Sequence, residues 1–295
     1  MSAEVTTSVV EVALPDGSVS ALTVHRPADP SARPLIVVWP GLGVGASYYR
    51  PLVEELAARG FPAVCGELRG QGENTAHPER SQRWGYHDMA AQDYPLTIRA
   101  VKQELGLPED HPTVLFCHSM GGQIATVFLA RPEARELGVV AMYGVGSGSP
   151  HYPAFTNPTR NRVRYGSLFM RVVSKVLGYW PGTIAGKDIA GYGRQADPHM
   201  AEWSRFSWTN KLDKLSGADM DYPEEQKKIV VPILLTRYNN DDDCPIASCE
   251  AMAENLPAAD VRIEQFEGDL GHNRWARQPV AVVDRLEAFV GEIGV

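Results

Sequence analysis

The chain reads as an α/β protein: a mostly parallel sheet with helices on both faces, interrupted by an inserted helical cap. Three observations predict it. Short continuous apolar runs, each suited to a strand buried on both faces, alternate with segments of helical period. The run Thr113–His118 drives into Ser119 and then straight into a helical pattern from Gly121, with no loop between them. The alternation stops at Gly144 and resumes only at Val230, and the intervening stretch of about 80 residues is too long for a loop.

Taken in order, Val5–Leu14 and Ser18–His25 alternate polar and apolar residues around the turn signal Pro15-Asp16-Gly17, which predicts an antiparallel hairpin. Pro34–Trp39 is a buried strand ending at Pro40-Gly41, followed by a helix over Tyr48–Arg59 that Gly60 closes. Phe61–Leu68 is the next buried strand, ended by Arg69-Gly70-Gln71-Gly72. The spacing of Tyr94, Ile98, Val101 and Leu105 places them on one face of a helix over Tyr94–Leu105. Strand Thr113–His118, a helix to about Ala130 and strand Gly138–Tyr143 continue the rhythm. After the insert come a strand over Val230–Thr236, a helix over Ile246–Asn255, a strand over Val261–Phe266 and a last helix. Pro279 opens that helix, and Val282, Leu286 and Phe289 line its buried face.

The expected organisation is a core of residues 1–144 and 226–295 with a cap of residues 145–225 over the carboxyl ends of the strands, where sites of α/β sheets lie. The insert holds three of the six tryptophans, Trp180, Trp203 and Trp208, with further aromatics such as Tyr165, Phe169 and Tyr192. Most of these are expected to form a small core of the insert's own, and a minority to face a pocket. Ser167–Leu177 is its apolar, helix-like segment.

With 44% hydrophobic residues in 295, the chain has ample material for a continuous core. A net charge of −8 and a pI near 5.5 argue against nucleic acid or an anionic membrane as the main partner. The four cysteines show no C-x-x-C spacing, and no His or acidic cluster has metal-ligand spacing, so no metal is expected. The amino-terminal residues carry no basic or apolar leader segment, and no apolar run approaches the roughly 18 residues of a membrane span. A cytoplasmic protein acting on a small molecule, without cofactor, is the expectation.

The chemistry concentrates at Ser119. A strand-to-helix turn of this kind holds its central residue in a strained conformation with the side chain exposed, and demands small residues two positions before and after; here these are Cys117 and Gly121. The amides at the start of the helix point positive partial charge at the same spot, which suits a developing oxyanion. A serine hydroxyl needs a base, and the base needs an acid to orient it. A carboxylate cluster, Asp241-Asp242-Asp243, follows a strand end, and Gly271-His272 follows the last strand. The order Ser, Asp, His is the one such an elbow calls for.

These motifs resemble the α/β-hydrolase fold, in its serine esterase, lipase and thioesterase group, over nearly the whole chain apart from the cap. The G-x-S-x-G-G elbow of that family matches Cys117-His-Ser-Met-Gly-Gly122, its oxyanion turn matches Pro40-Gly41-Leu42-Gly43, and its D-x-R-G-x-G-x-S turn matches Glu67-Leu-Arg-Gly-Gln-Gly-Glu-Asn74. Cys117 stands where the family has Gly, and Pro40 where it commonly has His. In the cap, Gly178-Tyr-Trp-Pro-Gly182 and the stretch Trp203 to Trp208 resemble a bacterial subfamily of predicted hydrolases. The resemblance implies Ser119 as nucleophile, His272 as base, Asp241 rather than Asp242 as acid, and the backbone amides of Leu42 and Met120 as the oxyanion hole.

The activity this resemblance implies is cofactor-independent hydrolysis of carboxylic esters or thioesters with small to medium hydrophobic acyl groups. Two other readings use the same residues: an acyltransferase or peptidase with the same triad, and a non-catalytic relative that uses the capped pocket as a receptor. His118 is expected to turn away from Ser119 into packing or a pocket wall, and His87, His151 and His199 are assigned no role.

Overall fold

In a computed structural model, described over residues 5–184, 187–188 and 193–295, the apolar runs form one eight-stranded sheet. The hairpin pairs β1 (Thr6–Ala13) with β2 (Val19–Arg26), antiparallel. Next come β3 (Leu35–Trp39), helix α1 (Arg50–Ala58) and β4 (Ala63–Cys65). A single turn, α2 (Tyr86–Asp88), passes through a π-turn at Met89–Asp93 into α3 (Tyr94–Leu105). Strand β5 (Thr113–His118), α4 (Met120–Leu129), the short α5 (Pro132–Glu136) and β6 (Val139–Val145) complete the first half. The insert contributes α6 (Thr159–Leu177), four two-residue strands, β7 (Tyr179–Trp180), β8 (Thr183–Ile184), β9 (Lys187–Asp188) and β10 (Gln195–Ala196), and α7 (Asp197–Thr209) and α8 (Tyr222–Gln226). The chain returns to the sheet with β11 (Ile233–Tyr238), α9 (Ile246–Ala253), β12 (Val261–Phe266) and α10 (Val280–Ile293).

The sheet order is β1-β2-β4-β3-β5-β6-β11-β12, with only β1 and β2 running antiparallel to their neighbours. Its central strands β3, β5 and β11 are buried along their whole length, because helices cover both faces. Two apolar layers result. One lies between the sheet and α3 and α4, through residues such as Val37, Leu115 and Ile124; the other faces α1 and α10, through residues such as Val38, Phe116 and Leu286.

Three elements differ most in extent from the sequence expectation, and the strand expected over Val230–Thr236 is shifted to Ile233–Tyr238. The strand expected over Phe61–Leu68 pairs only at Ala63–Cys65, because Gly66 passes flat against the Trp39 ring, where a Cβ would come within 2.6 Å, and the chain then leaves the sheet. The helix expected from Tyr94 begins two turns earlier, since Asp93 on that stretch is buried against Arg69 and breaks the apolar period. Likewise α6 begins at Thr159 rather than Ser167; its first turns are rich in arginine and carry no apolar stripe to read. Tyr192 and residues 1–4 lie outside the described residues.

Candidate active site

The elbow begins with packing. β5 delivers Ser119 at φ 49° and ψ −116°, a backbone region that non-glycine residues adopt only under constraint. The helix after it must pass close under β3: a Cβ on Gly121 would lie 2.5 Å from the Trp39 carbonyl oxygen, so glycine is required there. Two residues before the serine, fully buried Cys117 fits, and its carbonyl accepts a hydrogen bond from Ser147 Oγ at 3.0 Å.

The elbow, the loop after β11 and the loop after β12 meet at this point. Ser119 Oγ lies 3.0 Å from His272 Nε2. On the other side of the ring, His272 Nδ1 lies 2.8 and 3.0 Å from the Asp241 carboxylate oxygens. Asp241 is 1% exposed, and its Oδ1 also accepts the amides of Asp243 (3.0 Å) and Cys244 (2.9 Å). Asp242 is exposed and holds no contact with His272, and Asp243 turns its carboxylate to Arg162 of α6. Gly146, just past β6, has φ 59° and lies under the pair, where a Cβ would sit 3.0 Å from His272 Nδ1 and 3.1 Å from Asp241 Oδ2. Burial disfavours the His272 cation, but the hydrogen bond and charge of Asp241, helped by Asp243, outweigh it and raise its pKa above the usual value.

Leu42 follows a turn that is pinned on both sides. The Gly41 amide donates to Tyr49 Oη at 3.0 Å, and the Gly43 amide donates to Gln71 Oε1. Met120, the first residue of α4, has one of the amides that a helix leaves without an intrahelical partner. Both residues line a cavity of about 470 Å³ with Ser119 and His272. Its apolar wall includes Phe155, Val163, Met170 and Trp203. Of the insert's aromatics, Phe155 and Trp203 thus reach the cavity and Trp180 is fully buried in a small cluster with Met170 and Met200, while Tyr165 and Phe169 are exposed.

Several supporting residues were not readable from sequence. His118 is buried and forms a directed chain: its Nε2 donates to the His272 carbonyl at 2.9 Å, so its Nδ1 is the acceptor, 2.5 Å from the Tyr49 hydroxyl, which in turn accepts the Gly41 amide. Burial, with His272 close by, keeps His118 neutral, its pKa well below the ordinary one. Trp275 Nε1 donates to the same His272 carbonyl at 2.7 Å. Glu67 clamps the far side of the turn by accepting the amides of Ala46 (2.9 Å) and Glu73 (3.0 Å); burial, opposed by those two bonds, lifts its pKa to about 7. The only sequence signal for these roles lay in the Glu67–Asn74 motif; Tyr49 carried none. His199 packs its Nε2 2.9 Å from Met120 Sδ, and His87 bonds the Tyr222 hydroxyl through Nδ1 at 2.7 Å.

Several solved structures share this fold over nearly their full length. A soluble variant of monoglyceride lipase from Saccharomyces cerevisiae, in complex with a substrate analog, is 15% identical with a TM-score of 0.68, covering 99% of this chain and 98% of that one. An esterase from Exiguobacterium antarcticum is 19% identical with a TM-score of 0.59, covering 96% of this chain and 100% of that one. An esterase from Rhodococcus sp. ECU1013 is 18% identical with a TM-score of 0.57, covering 97% and 100%. A search of curated proteins returned no match. The model of the alpha/beta hydrolase family matches residues 36–285, which include Ser119, Asp241 and His272, and the chain belongs to that family.

Proposed function

We propose that the protein is a serine hydrolase that cleaves carboxylic esters or thioesters of small to medium hydrophobic acyl compounds through an acyl-enzyme at Ser119. The observation that carries this reading is the unbroken hydrogen-bonded series from Ser119 Oγ through His272 to Asp241, at the floor of a cavity with an apolar wall. His272 takes the Ser119 proton as Oγ attacks the acyl carbonyl, and Asp241 holds the ring with Nδ1 protonated. The carbonyl oxygen, now negative, receives the amides of Leu42 and Met120, each such donor typically lowering the barrier by roughly 3 kcal/mol. Collapse of the intermediate expels the alcohol or thiol, which takes the proton from His272; water then attacks the acyl-enzyme by the same route, releasing the acid and regenerating Ser119.

A cavity of about 470 Å³ is within the usual size for a small-molecule site. Residues 145–225 act as a cap on the core of 1–144 and 226–295, supported by α6 and α7 each contributing to the cavity wall. The four cysteines are free and buried, which suits a reducing cytoplasm.

A fluorophosphonate probe is expected to label the wild-type protein and not Ser119→Ala, and p-nitrophenyl esters of increasing acyl length to be hydrolysed by the wild type alone, with a length optimum that reports the cavity. Undiminished turnover by folded Ser119→Ala, or wild type inert to both probe and esters, overturns the reading.

A further inference from the structure

Helix α6 is amphipathic in the wrong sense for a helix that packs only within its own chain. Its buried residues are Ser167, Met170 and Ser174, two of them polar. Its outward face carries Tyr165, Leu168, Phe169, Val172 and Val176, spaced at i, i+3, i+4, i+7 and i+11, and these are 57%, 37%, 51%, 62% and 64% exposed. A surface helix ordinarily buries that stripe; here five of the eleven exposed large apolar side chains among the described residues stand in one row.

Charge identifies what covers the row. Over Thr159–Leu177 the sequence has Arg160, Arg162, Arg164, Arg171 and Lys175 and no Asp or Glu, in a chain whose net charge is −8. Arg171 and Lys175 are exposed along one border of the stripe, while Arg162 turns to the cavity rim and pairs with Asp243. An exposed apolar stripe bordered by cations is the pattern of a helix that lies in the interface of an anionic lipid surface. A second copy of the chain fits less well, because stripe-to-stripe pairing sets one row of cations against another. The overall negative charge does not oppose the contact: charges beyond a Debye length of about 8 Å are screened at physiological salt, while those of α6 sit at the surface itself.

We propose that the outward face of α6 docks the protein on an anionic lipid surface. The inner face of the same helix lines the cavity through Thr159, Val163 and Met170, so docking sets the cavity wall one helix diameter from the lipid. This refines the expectation from net charge alone, since the local field of one helix differs in sign from that of the whole molecule. Among the described residues no helix is long and apolar enough to cross a membrane, and the contact proposed is with the surface.

The test is cosedimentation of the full chain with vesicles of equal parts phosphatidylglycerol and phosphatidylcholine, against vesicles of phosphatidylcholine alone. Binding is expected to the anionic vesicles and to weaken as salt is raised. Because the side chains are exposed, Val172→Glu/Val176→Glu is expected to fold with an unchanged circular dichroism spectrum and to lose at least tenfold in partitioning, by the order of magnitude of lost interfacial burial. Arg171→Glu/Lys175→Glu, which leaves the apolar stripe intact, is expected to lose roughly thirtyfold on anionic vesicles. Ser119→Ala is expected to bind like the wild type, so docking and catalysis fail separately. Equal partitioning of wild type and both folded variants overturns the proposal, as does a wild-type dimer in analytical ultracentrifugation that Val172→Glu/Val176→Glu converts to monomer while vesicle binding is absent.

Discussion

At the scale of single residues, Asp241 raises the proton affinity of His272, and the proposed role of His272 as base makes that testable. The His272 pKa lies above 6.5, and the ring must be neutral to accept the Ser119 proton, so kcat/KM is expected to fall as pH drops through that raised value, with an acid limb above pH 6.5. Stability responds in the opposite sense. A pKa raised on folding contributes stability that is fully present below the unfolded value and is lost as pH rises through the folded one, so this term shrinks over the window in which activity appears. Asp241→Asn tests the link. The Asp243 and Cys244 amides both donate to Oδ1 and would hold the asparagine oxygen there, turning its NH₂ toward His272 Nδ1. Nδ1 then becomes the acceptor and Nε2 carries the proton, the wrong tautomer for a base, and kcat is expected to fall by about 10⁴-fold. The acid limb of the remaining activity should move to lower pH, because the charge that stabilised the imidazolium is gone. A pH profile unchanged in position in the folded variant would show that Asp241 does not set the His272 pKa.

At the scale of elements, the site is where three strand ends converge, and glycines govern how closely they approach. Gly121→Ala drives a Cβ against the backbone of β3, which cannot give, and is expected to cost roughly 1–3 kcal/mol in urea unfolding. Gly146→Ala meets side chains instead of backbone, the His272 and Asp241 pair, at a positive φ. It is expected to reduce kcat by at least tenfold while the unfolding midpoint moves less than for Gly121→Ala, since small misplacement of reacting groups is costly in rate. Equal kcat for wild type and Gly146→Ala would mean that the pair tolerates displacement. These two glycines also separate what was legible in the sequence from what was not. Gly121 belongs to a local strand-turn-helix pattern, and Ser119, Asp241 and His272 each end a recognisable run. Gly146 read only as the point where the rhythm broke, because its constraint comes from residues far along the chain. Tyr49, His118 and Trp275 were hidden for the same reason: aromatic residues in apolar surroundings read as packing, and only the tertiary structure brings the Tyr49 hydroxyl to the Gly41 amide. Strand and helix positions followed from periodicity, and their limits failed where a buried polar group, such as Asp93, or an arginine-rich turn interrupted the pattern.

Across the whole molecule, the two long helices of the insert are attached unequally, and the difference bears on how the cavity is held. α7 ends at Asn210, in the left-handed region at φ 54°, where its side chain joins the insert to the core. Nδ2 donates to the Ala251 carbonyl at 2.7 Å and to Glu254 Oε2 at 3.1 Å, and Oδ1 accepts from Ser149 Oγ at 2.6 Å. Glu202, also on α7, is buried and accepts the Tyr86 amide at 2.9 Å and the Ser216 amide at 2.6 Å. The polar ties of α6 to the core reach solvent instead: Arg162 with Asp243, both at least half exposed, and Arg80 to the Val176 carbonyl at 2.5 Å. Exposed pairs contribute little, whereas a buried group left without its partner costs about 1–3 kcal/mol. Asn210→Gly removes the side chain without straining the left-handed backbone, so its effect isolates the hydrogen bonds. The variant is expected to lose about 1–3 kcal/mol in urea unfolding, chiefly from the buried Ser149 hydroxyl left without its acceptor, since the Ala251 carbonyl keeps Asn255 Nδ2 at 3.2 Å. Ser149 lines the cavity and loses its Oγ acceptor in the same variant, so KM for activated esters is expected to rise several-fold with kcat changed less. Ser119, Asp241 and His272 follow β5, β11 and β12 and share no hydrogen bond with Asn210. A fall in kcat as large as the rise in KM would show instead that α7 and the core loops move as one body, and that the insert contributes to the chemistry itself.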